Sequence, residues 1–323
     1  NGMTAVVGEF PDPFSKVNFS AGLSGLPIPK LKWKLLWNRD DVQADYDSSF
    51  PLEQAQFKYF TLLDRFSLNT QYDYIGGSLN LNAGLQQNKR KFESSYPIDF
   101  ESNNLNVDFF NKYIFNNNFY TIIGFQYQKA TMRANYNPEV TQSDLYLNSV
   151  YLDPSGLNLN MGMRYNHHNA YKGQWTFSLN PSYSFDLSAD YQMKVLSSYS
   201  KAFIAPGLYQ LYDPFYGNDD LMPENNLSFE FGSEFRSSQN TFSAVYFNRK
   251  EDPTLIFGPP VEGYLYGRYS NSDKEIYYRG IELGYDFKLF DSVKARLNYI
   301  FTETTNGDLR GIPKHAINGV MDF

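Results

Sequence analysis

The chain has 323 residues, no cysteine and a formal charge of −7, and its 27 Tyr, 28 Phe and 3 Trp make it 18% aromatic. Mean hydropathy is nonetheless −0.50. Membrane β-barrels combine these two properties, because half of each strand faces lipid and half faces water, and water-soluble enzymes rarely do. Disulfides and thiolate metal sites are excluded, and the acidic balance argues against a nucleic-acid partner. No window approaches the ~18 uninterrupted apolar residues that a membrane helix needs.

The opening Asn1-Gly2-Met3-Thr4 has no basic region, apolar stretch or cleavage site, so no signal peptide is read there and a mature fragment or internal segment is expected. A first strand is placed near 1–7. Weak period-two patterns follow near 15–23, 31–37, 66–73, 78–87, 105–113, 119–127 and 145–151. The pattern is clearest where Leu157, Leu159, Met161, Met163 and Tyr165 alternate with Asn158, Asn160, Gly162 and Arg164, and again from Trp175 to Phe185. It recurs at 191–201, in Leu227, Phe229, Phe231 and Phe235, at 241–249 and 276–287, from Val293 to Phe301, and at 312–323. That is roughly sixteen strands, each about as long as a tilted membrane crossing requires. No helix is predicted.

The connections alternate in length. Short turns fall near 24–30, 74–77, 114–118, 152–156, 186–190, 236–240 and 288–292. Longer loops are read near 38–56, 88–104, 128–144, 166–173, 202–226, 250–275 and 304–311. An up-and-down transmembrane barrel has this rhythm, with short periplasmic turns at one rim and long extracellular loops at the other. A soluble sandwich would also alternate along its strands, but it lacks the rhythm and has Greek-key crossings. The apolar set then faces lipid, and the lumen holds Arg164, Lys194, Glu230, Glu234, Glu282, Asp286, Lys294 and Arg296. So many charges cannot sit in a dry interior, so water or a polar plug must fill it.

Three smaller groups bear on chemistry. Asp40, Asp41, Asp45 and Asp47 crowd a predicted outer loop, and Ca²⁺ takes six to eight oxygen ligands in flexible geometry; the alternative is a solvated acidic loop. His167 and His168 are adjacent and so point to opposite faces of a strand, which disfavours a metal site. There is no Gly-x-Ser-x-Gly, no phosphate-binding glycine loop and no acid/base pair with a pocket, so no enzymatic activity is expected.

The most specific stretch is Ser200–Glu224. Phe203-Ile204-Ala205-Pro206 followed by Asn218-Asp219-Asp220-Leu221-Met222-Pro223-Glu224 resembles the paired boxes of TonB-dependent outer-membrane receptors. Leu208-Tyr209-Gln210-Leu211-Tyr212 between them is similar to the cobalamin (vitamin B12) branch. Tyr246-Phe247-Asn248-Arg249, Tyr277–Glu282 and Ile312–His315 follow in the family's order. The resemblance is continuous over about 140–323 and looser before that. Ile204 replaces the usual Arg of the first box, and Asp219 the usual Pro of the second. Both boxes are read as fixing the long loop to the barrel wall, with Glu224 accepting bonds from loop amides.

The resemblance implies an all-β, antiparallel up-and-down transmembrane barrel in the bacterial outer membrane that imports a scarce nutrient, cobalamin or a related corrinoid. The alternatives are a siderophore or haem receptor, or a binding or scaffold barrel that does not transport. No His lies between Phe203 and Leu221, which disfavours haem. The family has 22 strands around a plug, so residues 1–323 are expected to be an incomplete barrel domain. The N-terminal plug, coupling box and last strands would lie elsewhere, or partner chains would complete the barrel. Expected partners are a TonB-type energy-coupling protein, a cobalamin-like small molecule, the lipid bilayer and a surface lipoprotein. No cofactor is required, and the family's calcium-ordered outer loops favour Ca²⁺ at the aspartates. A corrin ring with amide arms suits Tyr136, Tyr171, Tyr209, Tyr212, Phe215, Tyr216 and Asn218, although barrels carry aromatic girdles anyway.

Overall fold

The computed structural model describes residues 12–49, 52–134, 136–260, 263, 265–290, 292–305 and 311–322. The strands are β1 (Phe14–Ile28), β2 (Leu31–Ser49), β3 (Leu52–Tyr74), β4 (Gly77–Glu93), β5 (Ile98–Asn116), β6 (Phe119–Arg133), β7 (Glu139–Leu152), β8 (Leu157–His168), β9 (Lys172–Ser188) and β10 (Tyr191–Ile204). Helix α1 (Leu208–Tyr212) precedes β11 (Glu224–Ser237), β12 (Asn240–Glu251), β13 (Leu255–Phe257), β14 (Tyr269–Asn271), β15 (Ile276–Phe290), β16 (Val293–Thr305) and β17 (His315–Asp322). Fifteen strands form one antiparallel meander, and β13–β14 form a separate two-stranded sheet. β1 and β17 are the edges of the large sheet and are not paired with each other among the described residues. The strand expected near 1–7 lies outside those residues.

Each of the other fifteen predicted strands lies in the large sheet. What the sequence reading missed is α1 and the β13–β14 hairpin, both inside loops. The short turns are where they were expected. In Asp153–Gly156, the Asp153 carboxylate accepts from Ser155 N (2.8 Å) and from Tyr151 Oη (2.6 Å). Gly156 has φ +104°, and a Cβ there would lie 1.9 Å from the Ser184 carbonyl oxygen, so only glycine fits.

The outer connections need correction. β2 runs to Ser49 and β3 begins at Leu52, and the predicted loops at 88–104, 128–144 and 166–173 shrink to 94–97, 134–138 and 169–171. The reason is physical. Apolar alternation reports a strand only where one face meets lipid, and above the membrane both faces are wet while the hydrogen-bond ladder continues. β3, 23 residues long, spans about 75 Å at ~3.3 Å per residue, well over the ~30 Å hydrocarbon core even when tilted.

Register fixes the two faces. Met163 is opposite Leu147 and Phe177, and Phe231 is opposite Ser197 and Tyr246, which puts the apolar set on the outward face with its large side chains exposed. All eight predicted lumenal charges fall on the other face, for example Lys194 opposite Glu234, and Asp286 opposite Arg296 with an ion pair at 2.6 Å. Above the apolar band the outward face turns charged. Arg39 donates to both Asp64 oxygens (2.8 and 2.7 Å), Trp37 Nε1 donates to Asp64 (2.9 Å), and Lys129 pairs with Glu139 at 2.8 Å. These ion pairs occupy the part of the wall that the sequence reading took for loops.

Candidate functional site

The two long outer connections, 205–223 and 252–275, are knitted into one unit. Pro206 and Pro223 stand just beyond the last pair, Ile204 opposite Glu224, where a residue without a backbone donor ends the ladder. Gly207 caps α1 and its amide donates to Gln210 Oε1 (2.8 Å). Asp213 then reverses the chain, its Oδ1 accepting from the amides of Phe215 and Tyr216 (2.9 Å each). Gly217 N donates to the Asp213 carbonyl (2.9 Å), and a Cβ on Gly217 would lie 2.5 Å from Asp213 backbone atoms. A glycine is therefore built into the turn.

The loop next pairs with the hairpin as an irregular third strand. Tyr269 N donates to the Tyr216 carbonyl (3.0 Å), Asn218 Nδ2 to the Tyr269 carbonyl (3.0 Å) and Arg268 Nε to the Gly217 carbonyl (3.1 Å). Asn271 clasps Met222 on both sides, accepting from its amide (2.8 Å) and donating to its carbonyl (2.9 Å). Leu255 N donates to Glu224 Oε1 at 2.6 Å, the role expected of that glutamate. Leu211, Leu221 and Pro223 are buried beneath.

This frame carries an aromatic platform. Tyr209 meets Tyr269 edge-on (centroids 6.2 Å), Tyr269 meets Phe257 (5.1 Å), Phe257 meets Tyr216 (5.8 Å), and Phe215 adjoins Tyr216 (6.3 Å). Tyr209, Phe215 and Phe257 stay exposed. Burial, then the negative charge of Asp213 and the neighbouring Tyr269, Tyr216 and Tyr136, pushes the Tyr209 phenol up to about 12. Burial and Asp213 raise Tyr136 in the same direction. Tyr136, in the β6–β7 connection, and Tyr209 therefore both lie within reach of the Asp213 charge.

Of the predicted contact residues, Tyr136, Tyr209, Phe215 and Tyr216 fall in this assembly. Tyr212 is half-buried on α1, and Asn218 is used in the frame. Tyr171 sits elsewhere, 5% exposed, stacked on His168 (3.9 Å) and edge-on to Phe203 (6.0 Å). Phe257, Tyr269 and Asp213 were missed. The aromatic density of 252–275 was the available signal, but nothing in the sequence showed that this loop folds back on 205–223.

The aspartate group stands differently from the sequence reading. All four lie in β2, where Asp40 and Asp41 face opposite sides of the sheet. Asp40 pairs with Arg65 and Asn18, Asp45 is opposite Lys58, and buried Asp47 accepts from Ala55 N (3.1 Å). An extended strand spreads carboxylates that a loop would gather. Among the described residues, no group of three or more His, Asp or Glu is placed to hold a metal ion. His167 and His168 take opposite faces, as expected. His315 Nδ1 is hydrogen-bonded to Tyr299 Oη (2.9 Å).

A meander with an apolar outer band, a charged lumen and elaborated loops at one rim is the wall of an outer-membrane β-barrel. The chain belongs to the TonB dependent receptor-like β-barrel family, whose profile matches residues 6–323, and it resides in the bacterial outer membrane. No curated protein matches it. Among solved structures it is similar to the siderophore receptor PirA from Pseudomonas aeruginosa (TM-score 0.78, 16% identity, over 96% of this chain and 59% of that one). It is also similar to a mutant of the ferric enterobactin receptor PfeA from Pseudomonas aeruginosa in complex with enterobactin (0.81, 13%, 99% and 57%). A third is the FrpB iron transporter from Neisseria meningitidis (0.73, 14%, 94% and 55%). The chain thus spans less than two thirds of the length of each.

Proposed function

We propose that the protein is the barrel wall of an energy-coupled receptor that imports an uncharged, amide-bearing nutrient of the corrinoid class, working with a TonB-type coupling protein. The observation that carries this reading is the charge of the platform. Residues 205–223 and 252–275 hold seven Asp or Glu against Arg268 and Lys274. Lys250, at the end of β12, offsets Asp252 and Glu275 only in part. The exposed rings are the Tyr209 phenol and the phenyl groups of Phe215 and Phe257; all three can stack on a flat macrocycle, and the phenol can donate to an amide carbonyl.

The structural neighbours named for siderophores make a ferric siderophore the rival cargo. A polyanionic ferric catecholate would meet like charge at this rim, which costs affinity. The test is equilibrium binding of cyanocobalamin, ferrichrome, ferric enterobactin and haemin to the complete receptor in detergent. Cyanocobalamin is expected to bind tightest and to lose at least tenfold in affinity with Tyr209→Ala. Tighter binding of ferric enterobactin would overturn the proposal.

A further inference from the structure

We infer that the outward face of β1–β6 carries a binding site for one phosphorylated glycolipid of the outer leaflet, with an acyl chain in a groove on the barrel wall and the phosphosugar headgroup in a charged cavity above it. The site faces lipid, so it is independent of what the receptor carries. Register sets its parts in successive outward rows. Ala21, Trp37, Phe66, Leu85 and Leu105 form one row of the apolar band, and with the row below they line a groove of about 420 Å³. The small side chains of Ala21 and, in the lower row, Ala83 leave room beside the stacked rings of Trp37 and Phe66 (6.1 Å).

Two rows further out stand Asp41, Leu62, Lys89, Glu101 and Arg133. Together with Phe60, Lys91 and Asp99 of the next row they line a second cavity, of about 580 Å³. The row between the two cavities carries the Arg39–Asp64 pair and no net charge. From Leu85 to Lys91 is about 20 Å along β4 at ~3.3 Å per residue, short enough for one lipid to occupy both cavities.

The mixture of groups in the upper cavity selects the headgroup. Lys89 pairs with Glu101 at 3.2 Å, but both side chains are exposed, so the pair is weak. Arg133 stands opposite Glu101 in register and has no carboxylate partner among the described residues. These cations suit phosphate oxygens, which a guanidinium holds through two parallel hydrogen bonds. Asp41 and Asp99 would repel a bare phosphate, yet they accept hydrogen bonds from sugar hydroxyls. Phe60 adds an apolar ring for the C–H face of a sugar. A glycerophospholipid has the phosphate and the chains but no ring of hydroxyls. A phosphorylated glycolipid uses cations, carboxylates, ring and groove together.

The test uses the complete receptor in detergent, titrated with bisphosphorylated lipid A, phosphatidylglycerol or phosphatidylethanolamine and read by native mass spectrometry. One lipid A is expected to bind at least tenfold tighter than either phospholipid. Lys89→Gln combined with Arg133→Gln changes two exposed side chains and is expected to cut lipid A affinity at least tenfold. Ala83→Trp, which fills the groove, should cut it at least fivefold, and Lys314→Gln, on the β16–β17 side, should leave it within twofold. Phospholipid binding as tight as lipid A would overturn the headgroup assignment. Unchanged lipid A affinity in both site variants would overturn the site, as would a receptor dimer formed through this face in place of bound lipid. None of these outcomes touches the cargo reading, which cyanocobalamin binding tests separately.

Discussion

The clasp between Asn271 and Met222 lets the outer unit be tested apart from any ligand. Replacing Asn271 with Ala removes two neutral hydrogen bonds, at 2.8 and 2.9 Å. Met222 is 50% exposed, so water takes over its freed backbone groups and no full desolvation penalty is left. Each bond then contributes ~0.5–1.5 kcal/mol, and the pair about 1–3 kcal/mol. That energy falls on local opening of 205–223 away from the hairpin, not on the barrel, whose strands pair independently. It corresponds to roughly a 5- to 150-fold rise in the open population. Amide hydrogen exchange at Tyr269, whose N–H is held by the Tyr216 carbonyl, reports it directly. Asn82→Ala, on the β4 wall where it accepts from Asn69 (2.8 Å), serves as control. Exchange at Tyr269 within twofold of the unaltered protein would refute the claim that side-chain clasps hold the two loops together.

Gly217→Ala is expected to break the same unit more severely, since its Cβ meets backbone, whereas Gly207→Ala, whose nearest neighbour is Gln210 Oε1 at 3.7 Å, is tolerated; limited proteolysis within 205–223 separates the two. Tyr209 has a folded-state pKa above its unfolded value of about 10. Its contribution to loop stability is therefore intact below pH 10 and lost as the pH climbs to about 12. Absorbance titration at 295 nm should show a late phenolate step that Tyr209→Phe removes. At the opposite rim Asp153 is held down at about 2 by Ser155 and Tyr151. The 153–156 turn should keep its protection above pH 4 and lose it as pH falls towards 2, and amide exchange at Gly156 that stays flat over that window would contradict this.

How far the sequence could be read depended on whether a residue's surroundings are set locally. The turn at Asp153–Gly156 is legible because one carboxylate and one positive φ define it. Trp175 to Phe185 is legible because lipid on one side and water on the other impose period two. Asp40 to Asp47 reads as a loop because both faces of β2 are wet there, and its pairing is decided by Arg65 and Lys58 on another strand. The three-residue strands β13 and β14 carry no period at all. Three of the five platform rings were found because Tyr209, Phe215 and Tyr216 lie in the stretch that resembles the receptor boxes. Tyr269 and Phe257 were missed because only folding brings them there.

Asp213 joins the structure of the platform to its electrostatics, and its geometry allows the two to be separated. Both turn bonds, from Phe215 N and Tyr216 N, end on the same oxygen, Oδ1. An asparagine offers that oxygen in the same place, so Asp213→Asn should preserve the turn while removing the charge. Burial remains the larger cause of the raised Tyr209 phenol, so its pKa should fall only part of the way back towards 10, and Tyr136 should follow. Exchange at Tyr269 should not change, because the clasps are untouched. At the same time the rim loses one of its negative charges, so ferric enterobactin should gain affinity relative to cyanocobalamin. The gain comes from removing a like-charge opposition at the rim, and salt should weaken it. If instead exchange quickens and the relative affinities stay fixed, Asp213 acts as a turn residue alone. Selection by charge at this rim would then have to come from elsewhere.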